Sequence, residues 1–215
     1  LLGNHSLWTD HGMSSTEIWN KALTYDWASL GWTYLERDEL YLVELDPEAS
    51  KKYVVVAGTI GWFEYSAKDP SLSYDDAWYE AHRFDITNDA RFMTGFKDNR
   101  TFARERLEAL QEKLAILHAP TSSAVTHVVV GTHVPCFEPQ IVRKPGDIDW
   151  NTGNAFFGNL TLGKEIEKWP KVTHVISGHT HCGRYSMWPR VGMPDIETIV
   201  IPSEYRDPKF VMVEI

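Results

Sequence analysis

Apolar residues recur along this chain with two different periods. From Thr101 to His118, Ala103, Leu107, Leu110, Leu114 and Leu117 fall on one stripe at spacings of three and four. Arg104, Glu105, Glu108, Glu112 and Lys113 fill the other face. This pattern predicts an amphipathic helix with Thr101 as its N-cap, a solvated charged face and Pro120 marking its end. A second helix is expected within 15–30, where Ile18, Ala22, Tyr25 and Ala28 or Ser29 repeat at helical spacing. The other regular segments are short β-branched runs. Tyr53 to Ile60, Thr126 to Thr132 and Thr173 to Ser177 read as buried strands. Tyr34 to Leu45 reads as a strand turning near Asp46-Pro47. Arg184 to Trp188, Glu197 to Ile201 and Phe210 to Ile215 read as closing strands. A short helix is expected at 161–169. Strands mixed with helices predict an α/β fold in which helices pack on a sheet.

Two segments lack strong periodicity. Residues 62–99 hold Trp62, Phe63, Tyr65, Tyr74, Trp78, Tyr79 and Phe84, with a short helix expected around 75–82. Residues 134–160 are rich in Gly, Pro and aromatics. Long connections of this kind are more often functional insertions than core elements, so substrate selection is expected there. Aromatic residues in such loops, here Trp62, Phe137, Trp150, Phe156 and Phe157, pack a loop onto its domain more often than they stack on a ligand.

Composition narrows the picture. At 215 residues, one domain spanning 1–215 is the default. Hydrophobic content of 43% and charged content of 24% are those of a globular protein. A formal net charge of −9 argues against a large nucleic-acid interface. No run approaches the roughly 18 apolar residues of a membrane span. The two cysteines, Cys136 and Cys182, are too few for a disulfide framework and fit a reducing, cytoplasmic compartment. They read as small residues lining a packed site.

Candidate chemistry sits in three clusters: Gly3-Asn4-His5, Gly131-Thr132-His133 and Gly178-His179-Thr180-His181. The second and third end apolar strand-like runs. Side chains at the carboxyl ends of strands in one sheet can converge on a crevice. One amide oxygen and several imidazoles meeting there suit borderline divalent metals better than calcium. Other histidines have ordinary structural readings: His82, His118, His127 and His174, with His11 on a surface loop.

The ordered set resembles the calcineurin-like metallophosphoesterase family. That pattern runs Asp-x-His, Gly-Asp-x-x-Asp, Gly-Asn-His-Asp/Glu, a lone His after a strand, then Gly-His-x-His. The last three elements match here in order, from residue 3 to residue 181. The first two are absent, and Ser6 stands where the family has an acid. The resemblance implies a sandwich of two β-sheets flanked by helices. It also implies that this chain is the carboxyl-terminal part of a longer protein, lacking the N-terminal strands of the domain.

The same resemblance implies two divalent transition-metal ions, manganese, iron or zinc. Asn4, His133 and His179 would bind one and His181 the other. The expected activity is hydrolysis of a phosphate mono- or diester of a small substrate by a metal-bridging hydroxide. His5 would act as acid and transition-state stabiliser. No residue supplies an obvious bridging carboxylate; Asp10 follows the first motif, but the family pattern does not select it. Arg143 and Lys144, cations on a loop after a metal motif, are candidates to meet the substrate phosphate. The alternative is a non-catalytic scaffold or binding module of the same fold, which Ser6 and the absent upstream motifs favour.

Overall fold

The computed structural model describes residues 1–215 except 10, 11, 38, 39, 46–51, 97 and 205. Six strands form one mixed sheet: β1 (Tyr41–Glu44), β2 (Tyr53–Thr59), β3 (Val125–Thr132), β4 (Val172–Ser177), β5 (Arg184–Trp188) and β6 (Ile196–Val200). Their order is β1-β2-β3-β4-β6-β5. The four central strands run parallel, and the edge strands β1 and β5 pair antiparallel to them. The α/β expectation is borne out. All the named strands belong to this one sheet; the second sheet of the implied sandwich is not found among the described residues.

The helices are α1 (Ser15–Thr24), α2 (Asp76–Ile86), α3 (Asn88–Phe92), α4 (Asn99–His118), α5 (Ile148–Gly153) and α6 (Leu160–Ile166). The long helix α4 starts earlier than its stripe suggests. Asp98, not Thr101, is the N-cap, and its carboxylate accepts from both the backbone N–H and the hydroxyl of Thr101. Leu110, Leu114 and Leu117 of α4 pack with Val55, Val128, Val130 and Val175 of the sheet and with Leu162 and Ile166 of α6.

Lys113, assigned by sequence to the solvated face, is buried. Its ammonium donates to the carbonyls of Leu35, Glu36 and Gly58, while the buried Glu36 carboxylate accepts from Thr59, Ile60 N–H and Arg106. A buried charge persists only when its hydrogen bonds are satisfied, and this network does that beneath the end of β2.

Other expectations shift for local reasons. The helix expected over 15–30 ends at Thr24, followed by a single 3-10 turn at Ala28–Leu30. The strand expected from Tyr34 contracts to Tyr41–Glu44, because Tyr34–Arg37 turns: Arg37 N–H donates to the Tyr34 carbonyl. The turn placed at Asp46-Pro47 lies outside the described residues. Phe210 to Ile215 forms no strand. The 62–99 segment is not a loose insertion. Trp62, Phe63, Tyr65 and Tyr79 are buried in a second apolar cluster with Leu7, Trp19, Phe102 and Phe156. No helix among the described residues is long and apolar enough to cross a membrane.

Candidate metal centre

Two of the three motifs hang from the carboxyl ends of neighbouring parallel strands. His133 follows β3, and Gly178 to His181 follow β4. The strand ends are tied together: Thr132 and Ser177 hydroxyls lie 2.9 Å apart, Gly178 N–H donates to the His133 carbonyl, and His133 N–H to that of Ile60. The first motif forms a 3-10 turn, Asn4–Leu7, which carries Asn4 and His5 to the same point. Gly3 is required there by close approach, since a Cβ at this position would lie 2.8 Å from His133 Cε1.

Beyond Ser177 the backbone is strained. His179 and His181 both take positive φ, +66° and +57°. Thr180 N–H donates to the Gly178 carbonyl at 2.8 Å, closing a three-residue turn with His179 at its centre. Non-glycine residues adopt this conformation at a cost of about 1–3 kcal/mol, and such outliers cluster at functional sites.

Three donor atoms converge. His133 Nε2 lies 2.9 Å from Asn4 Oδ1 and 3.1 Å from His179 Nδ1. His179 Nε2 donates to the Phe156 carbonyl at 3.1 Å, which leaves the Nδ1 lone pair facing His133. Asn4 is fixed the same way. Its Nδ2 donates to both carboxylate oxygens of Asp89, at 2.8 and 3.0 Å, so its oxygen is turned towards His133. The proton on His133 Nε2 is thus met by two lone pairs at once.

Burial holds His133 well below the ordinary imidazole value, and the neighbouring His179 adds to this; burial also lowers His179, against the opposing pull of Asp89. Both rings are therefore neutral at pH 7, the form that ligates metals. Two ligands at right angles around an ion with bonds of about 2.1 Å stand about 3.0 Å apart, close to the separations found. Amide oxygen and imidazole nitrogen are donor types that borderline divalent ions accept.

His181 and His5 stand beside this trio and line one small cavity with it. His181 Nδ1 lies 3.1 Å from the Glu204 carboxylate, a pairing that orients the ring. His5 is exposed on the 3-10 turn, its ring 3.9 Å from that of Trp8. Burial lowers its pKa, Asp89 opposes this, and His181 adds to the lowering. Among the described residues no three His, Cys, Asp or Glu side chains form a metal group. The converging set owes its third donor to an amide, and among the described residues a second ion would find the imidazole of His181.

By sequence, no known protein family and no curated protein matches this chain. By structure, the solved proteins that resemble it include these two. One is the phosphopantetheinyl hydrolase of Mycobacterium tuberculosis, with a TM-score of 0.65 at 13% identity, covering 95% of this chain and 69% of that one. At that identity the likeness is one of fold. The other is a dimetal phosphatase of Danio rerio, with a TM-score of 0.41 at 17% identity over 92% of this chain and 58% of that one. This second likeness is too loose to bear on the chain.

Arg143 and Lys144 are not at the centre. The Arg143 guanidinium is committed to both oxygens of Glu138, the Ala67 carbonyl and Asn154 Oδ1. The Lys144 ammonium sits 3.4 Å from the centre of the Trp150 ring. Neither lines the cavities beside the histidines, so these cations brace the 134–160 loop. Asp10 and His11 lie outside the described residues. The cysteines are free, with Cys136 buried and its thiol pushed up by burial. Trp62 and Phe137 pack inward as expected; Phe156 is buried and also lines the larger cavity, as do Trp150 and Phe157.

Two residues of the site were missed from sequence. Asp89 sits on the short helix α3, is 4% exposed, and accepts from Trp8 Nε1 at 2.6 Å as well as from Asn4. Glu204 lies 23 residues beyond its histidine. No motif marks either one.

Proposed function

We propose that residues 1–215 form one metal-dependent phosphoesterase domain. The observation that supports this most is the convergence of Asn4 Oδ1, His133 Nε2 and His179 Nδ1 at the carboxyl ends of β3 and β4, with His5 beside them. Asn4, His133 and His179 would hold one manganese, iron or zinc ion, and His181 would contribute to a second. Such ions, when bound, supply Lewis acidity and a nucleophile at neutral pH.

The chain's own residues do the rest. His5 faces the cavity and donates its N–H to a phosphoryl oxygen, where charge grows during the reaction. A bound phosphate raises its pKa against the lowering by burial, so the same ring can protonate the leaving oxygen. Asp89 holds the Asn4 amide in register, and the Phe156 carbonyl holds His179. His5 is no part of the converging trio, which predicts separable defects.

The test is hydrolysis of p-nitrophenyl phosphate by the purified protein with added manganese. His5→Ala should lower turnover about 10²- to 10⁴-fold with bound metal unchanged. His179→Ala should lose both. Turnover in His5→Ala equal to wild type would remove the role given to His5. Absence of metal-dependent turnover in the wild type would leave a non-catalytic binding module of the same fold.

A further inference from the structure

A cavity of about 770 Å³ opens beside the centre, with Asn4, His5 and His179 at one end. Its size suits a small organic ligand. The rest of the wall includes electron-rich rings and carboxylates beside Ile86, Ile148, Thr87, Asn88 and Thr152. Tyr74 stacks on Trp78 with ring centroids 3.8 Å apart and planes at 8°, and Trp78 stacks in turn on His82. Trp150 and Phe157, themselves 5.2 Å apart, also line the cavity. Three acids line it too: buried Asp89, and the exposed Asp85 and Asp149. Neither Asp85 nor Asp149 has a hydrogen-bond or ion-pair partner among the described residues. No lysine or arginine is among the described residues that line it.

This wall repels an anion. Three carboxylates, set against the Lys144 ammonium 3.4 Å from the centre of the Trp150 ring, disfavour a second phosphate or an acidic peptide. Aromatic faces beside unpaired carboxylates favour an organic cation, through ring quadrupoles and charge together. We propose that this cavity receives the alcohol half of the substrate and that this half is cationic: the substrate is a phosphoester of an amino or quaternary-ammonium alcohol. The phosphate end lies at the histidines and the positive end between the Tyr74–Trp78 stack and Asp149. The inference rests on the phosphoesterase reading for the phosphate end; the cation site stands on the cavity itself.

Two measurements separate the two ideas. The first needs no catalysis: choline and its uncharged isostere 3,3-dimethylbutan-1-ol are titrated into the protein, with tryptophan fluorescence as the readout. Choline should bind at least about tenfold more tightly, and Asp85→Asn with Asp149→Asn should abolish most of that difference. Equal binding of the two alcohols overturns the cation site whether or not the protein is an enzyme.

The second compares p-nitrophenyl phosphocholine with p-nitrophenyl 3,3-dimethylbutyl phosphate in the manganese-supplemented protein. The expected kcat/KM ratio is again about tenfold or more, carried mainly by KM. Cleavage of both esters at equal rates overturns the proposal with the phosphoesterase reading intact. Choline binding without cleavage of any ester overturns the phosphoesterase reading, and with it the assignment of the cation as half of a substrate.

Discussion

Replacing Asp89 by Asn tests the site through one amide. The wild-type carboxylate accepts three N–H bonds, two from Asn4 Nδ2 at 2.8 and 3.0 Å and one from Trp8 Nε1 at 2.6 Å. Asn at position 89 keeps the shape but has one accepting oxygen and an NH₂ group. Three donors then face a side chain that is itself half donor. The simplest relief is a half-turn of the Asn4 amide, which gives its oxygen to the new NH₂ and turns its NH₂ towards His133 Nε2. An amide nitrogen does not ligate, so the converging trio becomes a pair. Loss of a partner that orients a ligand lowers metal affinity about 10- to 100-fold, or about 1.4–2.7 kcal/mol. Calorimetric titration with manganese measures this directly, with circular dichroism to confirm folding. A folded Asp89→Asn protein that binds manganese as tightly as wild type would refute the argument that Asp89 sets the Asn4 oxygen.

Further outcomes follow from packing and protonation. A Cβ at Gly163 would lie 1.9 Å from the Cys136 carbonyl oxygen, so Gly163→Ala must push α6 off the loop after β3; urea unfolding should show a loss of about 3 kcal/mol, and a loss under about 0.5 kcal/mol would contradict the packing. His118 Nδ1 donates to the Leu114 carbonyl while Nε2 accepts from Lys171 N–H, which requires the neutral ring, and burial lowers its pKa against the Leu114 bond. The unfolded chain therefore takes up protons first as pH falls, so stability should be level above about pH 6.5 and decline below it until the lower folded-state pKa is passed. His133, His174 and His179 shift the same way, each by burial first, so His118→Gln should decline less steeply than wild type in urea titrations between pH 7.5 and 5. Parallel curves would refute the part given to His118.

Much of the sheet and part of the centre were legible because they rest on local pattern. The β-branched runs gave β2, β3 and β4 within a residue, and glycine-histidine steps at their ends gave His133, His179 and His181. Their convergence needed β3 and β4 to be parallel neighbours, which is a tertiary fact. Lys113 was readable and misread: it stands three residues after Leu110 and four before Leu117, on the buried stripe, where charge alone suggested solvent. Asp89 was not readable, since 85 residues separate it from Asn4 and its segment has no periodic pattern. Phe210 to Ile215 has the apolar content of a strand but no paired neighbour, and a strand exists only through its partner. Arg143 carried the right charge for a phosphate, but Glu138, five residues earlier, claims it.

The proposed metal ion belongs among Asn4, His133 and His179. Anomalous diffraction at the manganese edge, from crystals grown with manganese, locates it without reference to activity. A peak is expected within bonding distance of Asn4 Oδ1, His133 Nε2 and His179 Nδ1, with the Asn4 amide still held by Asp89. No peak there, with His133 still hydrogen-bonded to Asn4 and His179, would contradict this placement.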